Sequence, residues 1–235
     1  MDARPVVGSS VRGPWVELSS AAVAVGLYVW RTDGHPHWPV LVGMIALCAQ
    51  VLIRAPHARR AAAVEADAEH VTSLERLLLA MVFVGMVGLP LIYLATTVFD
   101  ALDYGLPGWL AVIGVLVAGA GLWVFRRSHR DLGQHWSASL QIGDGHRLVT
   151  RGIYGRVRHP MYAAIWLHAL AQALLFQNWV AGPAGIVAFG AMYLLRVPRE
   201  EAMLRNIFGQ TYTDYCVHTG RVIPRFGRRG GQAAD

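Results

Sequence analysis

Charge is scarce in this chain, lysine is missing altogether, and cysteine nearly so. Asp, Glu, Lys and Arg make up 15% of the 235 residues, where an ordinary soluble domain carries roughly 25%. With 54% hydrophobic residues and a mean hydropathy of +0.38, that shortage excludes a soluble globular fold and implies a polytopic membrane protein. Cys48 and Cys216 lie far apart and match no metal-ligand spacing, so no disulfide framework or zinc site is implied. HExxH, CxxC, GxSxG and P-loop patterns are all missing, which leaves hydrolase and ATPase readings without a motif. The ten histidines are scattered (His35 and His37 in one loop, His129 and His135 about Gly133), and no metal site is expected. His168, inside an apolar run with Gln172, reads as a hydrogen-bonded bundle residue.

What is there is arginine, and it is placed with a bias. The net charge is +6 and the sequence pI about 9.8. The arginines flank apolar segments, so lipid headgroups explain them and a nucleic-acid partner is not expected. Six apolar stretches can be marked: Trp15–Trp30, Trp38–Ile53, Leu77–Phe99, Leu106–Phe125, Met161–Phe176 and Trp179–Leu195. The third and fourth reach the roughly 20 residues a spanning helix needs; the others are short. The last two form a tight hairpin across Gln177 and Asn178. Trp15, Trp30, Trp38, Trp109, Trp123 and Trp179 fall near segment ends, as an interfacial belt requires. Pro90 in the third segment is tolerable if a neighbouring helix satisfies the carbonyl it frees. Gly114, Gly119 and Gly121 leave room for close helix contact.

One side of the membrane receives Arg4, Arg12, Arg54, Arg59, Arg60, Arg76 and nearly all later arginines. The other receives Arg31, Asp100 and Asp103. Both termini are therefore expected in the cytoplasm, and the arginine-only, alanine- and glycine-rich composition suggests a bacterial inner membrane. Arg4 and Arg12 precede a retained first helix and not a cleaved signal, because no small-residue cleavage site follows. Pro198, with Glu200 and Glu201 after it, predicts the start of a separate surface helix that Gly209 stops. Residues from Arg228 onward read as disordered.

The polar residues gather in two clusters. One runs from Gln141 to Tyr162, QIGDGHRLVTRGIYGRVRHPMY; the other is Arg196, Arg199, Glu200 and Glu201. His159–Pro160 suits the N-terminal edge of the fifth helix, whose backbone N–H groups can receive a carboxylate. Arg196 and Glu200 stand i, i+4 and share one face, a spacing that serves a simple intrahelical ion pair as well as a site.

The ordered combination of LVTRGIYGRVRHPMY, the apolar hairpin, Arg196-x-x-x-Glu200-Glu201, Phe208-Gly209-x-x-Tyr212-x-x-Tyr215 and Ile223–Pro224 resembles the isoprenylcysteine carboxyl methyltransferase family, over Leu132–Pro224. Phospholipid and small-thiol methyltransferases share much of this core, and sterol reductases a related segment. The resemblance implies an all-α integral membrane bundle with a cytoplasmic cofactor-binding cap: N-terminal spans over 1–131, a methyltransferase core over 132–227 and a tail over 228–235. It implies S-adenosylmethionine held by Gln141, His146, Arg147, Leu148, Val149, Tyr154, His159, Pro160, Met161, Tyr162 and Glu200. Arg196 takes the acceptor's carboxylate as the catalytic residue. The implied reaction is carboxyl O-methylation of a lipidated cysteine entering from the bilayer. A phospholipid amine or small thiol as acceptor, an NADPH-dependent reductase and a non-enzymatic membrane protein stay open beside it.

Overall fold

A computed structural model of the protein describes residues 14–65, 72–133 and 148–225. Among these residues the chain is helical throughout, with only two isolated bridges of β type. The helices are α1 (Pro14–Arg31), α2 (Trp38–Glu65), α3 (Ser73–Phe83), α4 (Leu89–Ala95), α5 (Gly108–Leu132), α6 (Pro160–Leu175) and α7 (Ala184–His218). Three stretches are long and apolar enough to cross a membrane: Trp38–His57, Ser73–Ala95 and Gly108–Leu132. α6 is apolar but shorter. The tryptophans at segment ends face outward, Trp15 at 70% exposure and Trp30 at 78%, as anchors at a lipid interface do.

The third apolar segment is not one regular helix. A π-helical turn, Val84–Gly88, separates α3 from α4, and Leu89 N–H donates to the carbonyl of Val84. In that i→i−5 register the next donor, for the carbonyl of Gly85, belongs to Pro90, which has none. Gln172 on α6 fills the gap: its amide nitrogen donates to Gly85 O at 2.9 Å and to Ala181 O at 2.7 Å. A Cβ on Gly85 would come within 2.7 Å of both Ala184 O and Ala188 Cβ, so only glycine lets this turn sit against α7. Gly114 and Gly121 bring α5 onto α6, where added Cβ atoms would meet Leu174 at 3.0 Å and Leu167 at 3.3 Å. Gly119 faces open space, and the packing role expected of it is not found.

The end of the bundle at the α6–α7 turn is tied by side chains. Asn178, fully buried, donates to Phe99 O at 2.8 Å and to Asp103 at 2.7 Å, and accepts from the N–H groups of Val180 and Ala181. Arg31 donates to both Asp100 oxygens at 2.9 and 2.7 Å and to the carbonyls of Tyr93 and Leu94. Its guanidinium lies 5.0 Å from the Tyr28 ring centre and 5.7 Å from that of Tyr93. These contacts close the end of α4, whose last carbonyls would otherwise lack partners.

α7 departs from expectation. Pro198 lies inside it and starts no new helix, so Glu200 and Glu201 sit in mid-helix and not in a first turn. Gly209, at φ 54° and ψ −127°, leaves helical geometry and ends the first part of α7, as expected, and a second helical part follows across the kink. Those torsions belong to glycine alone. The kink turns the last two helical turns back toward the start of α6.

Gln172→Leu is expected to destabilise the detergent-solubilised protein by about 1–2 kcal/mol, since Gly85 O and Ala181 O lose their donor. In a Pro90→Ala background, which restores an N–H at position 90, thermal unfolding should show a smaller loss.

Candidate functional site

The opposite end of the bundle, where α6 begins, is assembled from three separate chain segments. At the end of α5, Asp131 accepts from Arg127 Nε at 2.8 Å and from the backbone N–H of Ile153 at 2.9 Å. Gly152, at φ +64°, is pressed against this carboxylate, where a Cβ would collide with it. The single 3-10 turn Gly152–Gly155 is thereby pinned to α5. Tyr215, beyond the Gly209 kink, donates to Tyr154 O at 2.6 Å. Burial pushes the phenols of Tyr154 and Tyr215 up, so both stay neutral hydrogen-bond donors. Arg158 N–H bonds Gly220 O at 2.8 Å and His159 N–H bonds Arg221 O at 2.9 Å. The chain after α7 therefore braces the residues that open α6.

Within this frame Glu201 is the centre of charge. It is 1% exposed and accepts from Arg221 at 3.0 and 2.7 Å, from Arg158 at 3.3 Å and from His159 Nε2 at 3.3 Å. Arg205, one turn on, approaches to 3.5 Å. Burial alone would raise the carboxyl's pKa, but the hydrogen bonds and charges of His159 and Arg221 outweigh it and hold the group well below the carboxylate range. Arg158 also donates to the carbonyls of Cys216 and Thr219, tying the end of α7 to the same carboxylate. The sequence nominated Glu200 and gave Glu201 no role; the structure makes Glu201 the buried anchor of this cluster.

Glu200 sits beside it with a different environment. One carboxylate oxygen accepts from Tyr162 OH at 2.7 Å and the other lies 3.8 Å from His159 Nδ1. The imidazole of His159 thus bridges two adjacent carboxylates and stacks on Tyr162, with ring centres 5.5 Å apart and planes 14° off parallel. Behind Tyr162 the ring of Trp166 meets those of Phe189 and Tyr193 edge to face at 5.2 and 5.8 Å, and Leu78 and Met192 complete an apolar wall. Unlike Glu201, Glu200 keeps 25% of its side chain exposed.

Arg196, one turn before Glu200, does not take that residue as its ion-pair partner. Its terminal nitrogen lies 3.3 Å from the carboxylate of Glu75, in the first turn of α3. Of the residues the sequence nominated, His159, Pro160, Met161, Tyr162 and Glu200 converge here, with Tyr154 buried close by. Leu148 and Val149 are partly exposed at the start of their segment. Gln141, His146, Arg147, Asp144 and the tail from Arg228 lie outside the described residues. Sequence reasoning missed Glu75, Arg158 and Arg221. The one signal for Glu75 was its place three residues after Thr72, whose hydroxyl caps its N–H at 3.2 Å.

Comparison with known proteins bears out the family resemblance. Residues 112–206 match the model of the isoprenylcysteine carboxyl methyltransferase (ICMT) family. The protein-S-isoprenylcysteine O-methyltransferase of Tribolium castaneum is 30% identical over 118 residues, which cover 49% of this chain and 42% of that protein. The Schizosaccharomyces pombe enzyme of that name is 37% identical over 90 residues, 38% of each chain. The human one is 27% identical over 109 residues, 46% of this chain and 38% of the relative. The chain thus spans about two fifths of the length of these three relatives. The structure of a eukaryotic intramembrane Ras methyltransferase, ICMT, superposes with a TM-score of 0.57 at 19% identity, covering 89% of this chain and 75% of that one. The fold is that of an ICMT-like membrane protein.

Glu201→Gln leaves Arg158 and Arg221 facing a neutral group and should cost about 3–5 kcal/mol at neutral pH. Because the folded carboxyl titrates below its unfolded value of about 4.3, its contribution is full above that value and is lost as pH falls through the depressed folded one. Melting temperature against pH should therefore drop on the acid side for the parent chain, with a flatter acid limb for Glu201→Gln.

Proposed function

We propose, from the family match over residues 112–206, that this protein is an S-adenosylmethionine-dependent membrane methyltransferase that esterifies the carboxylate of an isoprenylcysteine-type acceptor. The observation that carries the reading is the convergence of His159, Tyr162 and Glu200 at the start of α6, with a buried arginine, Arg196, one turn away. The donor set suits the cofactor. Glu200 is a partly exposed carboxylate able to accept from amino or hydroxyl groups, and the His159–Tyr162 stack offers an aromatic surface. The residues proposed to hold it are Tyr154, His159, Pro160, Met161, Tyr162 and Glu200, together with Leu148, Val149, Gln141, His146 and Arg147.

When bound, S-adenosylmethionine supplies a methyl group on a cationic sulfonium. Arg196 presents a planar fork to the acceptor's carboxylate and sets its line of approach. A carboxylate is ionised at neutral pH, so no side chain has to remove a proton from it. The aromatic wall of Tyr162, Trp166, Phe189 and Tyr193 keeps water from one side of the site, and neutralisation of opposite charges is favoured there. An apolar acceptor tail enters from the bilayer between helices, while the cofactor arrives from the cytoplasm. In this reading the bundle has about six spans, the last two a hairpin, and residues 132–227 form the methyltransferase core with its cofactor cap on the cytoplasmic side. Arginine placement supports that orientation.

Calorimetry should find S-adenosylhomocysteine binding weakened by about 1.5–3 kcal/mol in Glu200→Gln, the range for a hydrogen bond to a charged group. Arg196→Lys should keep that affinity but lose kcat/KM for a prenylcysteine acceptor, since the fork is lost while the charge remains. Equal turnover of prenylcysteine by both proteins, or faster turnover of an amine headgroup, would reject the carboxylate acceptor.

Orientation has its own check. In a Cys48→Ser, Cys216→Ser background, Gly105→Cys in an exposed loop should react with an impermeant thiol reagent added to intact cells. Thr211→Cys, exposed at the other end, should react only after lysis.

A further inference from the structure

We propose that Glu75 is a positioning residue for acceptor binding, holding the Arg196 guanidinium from a different helix; this rests on the reaction proposed above. Glu75 is the acidic residue of α3's first turn, in a helix that is otherwise apolar apart from Ser73 and Arg76. Its backbone is fixed by the Thr72 cap, and its negative charge suits a helix N-terminus. The carboxylate is not solvated: its side chain is 11% exposed and that of Arg196 10%. A buried pair of this kind is a weak source of stability, because desolvating both charges offsets much of their attraction. Two apolar side chains would hold α3 to α7 as well. What the pair does that apolar residues cannot is keep a charged guanidinium at this depth, beside the site.

The neighbouring carboxylates are engaged elsewhere. Glu200, at the helical spacing that would serve an intrahelical pair, takes Tyr162 OH and faces His159, and Glu201 takes Arg158, His159 and Arg221. Glu75, on α3, supplies a counter-charge to Arg196. With one terminal nitrogen 3.3 Å from the Glu75 carboxylate, the guanidinium is drawn toward α3 by charge. Glu75 also lowers the net positive charge that the acceptor's carboxylate meets, so Arg196 orients the anion without retaining it as an isolated cation would. Glu75 thus acts on the acceptor side of the site, through Arg196.

Steady-state kinetics with a farnesylated cysteine bearing a free carboxylate, and calorimetry with S-adenosylhomocysteine, test this on the full chain in detergent. Glu75→Gln should lower kcat by between about tenfold and a hundredfold, the range for a misoriented reactant. The acceptor KM should not rise, because a competing anion has been removed, and cofactor affinity should be unchanged. Glu75→Asp should recover part of the loss. In a double-mutant cycle the effects of Glu75→Gln and Arg196→Lys should not add, since both disturb one guanidinium. Parental kcat in Glu75→Gln, additive losses, or loss of cofactor binding together with activity would each overturn the role. A parent protein with no turnover of any carboxylate acceptor would reject the reaction itself, and this inference with it.

Discussion

A single buried carboxylate, Glu201, governs the polar end of this molecule. Its partners come from the residues before α6 (Arg158 and His159), from one turn along its own helix (Arg205) and from the segment after α7 (Arg221). One anion among several cations in a desolvated place is stable only while those partners stay, so they must arrive together. The backbone pairing of Arg158 with Gly220 and of His159 with Arg221 provides for this. Neighbouring Glu200 can then remain partly exposed without bearing the load of the fold. Two adjacent acidic residues differ in environment, one buried in the frame and one partly exposed beside Tyr162.

The two ends of the bundle solve the same problem by different means. At the α6–α7 turn, Arg31 and Asn178 consume the carbonyls and N–H groups that end α4 and open the hairpin. No exposed polar chemistry is built on them. At the other end Glu201 is likewise paired, but Glu200 is left at an aromatic surface and Arg196 faces a carboxylate on a distant helix. Between the ends, the π turn at Val84–Gly88 shows how an apolar span carries a proline. A shifted register moves the missing hydrogen bond to one carbonyl, and a single glutamine on the neighbouring helix meets it.

Much of this was legible in the sequence, because lipid imposes its demands locally. Apolar run lengths, tryptophans at segment ends and the need for a partner to Pro90 all follow from the cost of unpaired backbone in hydrocarbon. The start of α6 at Pro160, with His159 before it, follows from proline's fixed φ and missing donor. The recurring order of polar residues from Leu148 to Pro224 carried the resemblance to the ICMT family without any coordinates.

Other features were decided only when helices met. Pro198 looked like a helix start, yet its loss of one hydrogen bond was tolerated inside a long helix whose flanks are packed. Gly209, read as a stop, does end the helical torsions, but a second helical part follows it, with Tyr212 and Tyr215 drawn back against Tyr154 and the Glu201 cluster. Helical spacing put Arg196 and Glu200 on one face, but spacing within a helix says nothing of what another helix offers, and Glu75 lies more than a hundred residues earlier. Glu201 likewise owes its role to Arg221, twenty positions on in a segment without regular structure. Sequence by itself determined which stretches are apolar enough to cross a membrane and which residue types crowd one end. Tertiary packing alone decided which carboxylate is buried, because burial and ion pairing depend on partners brought from elsewhere in the chain.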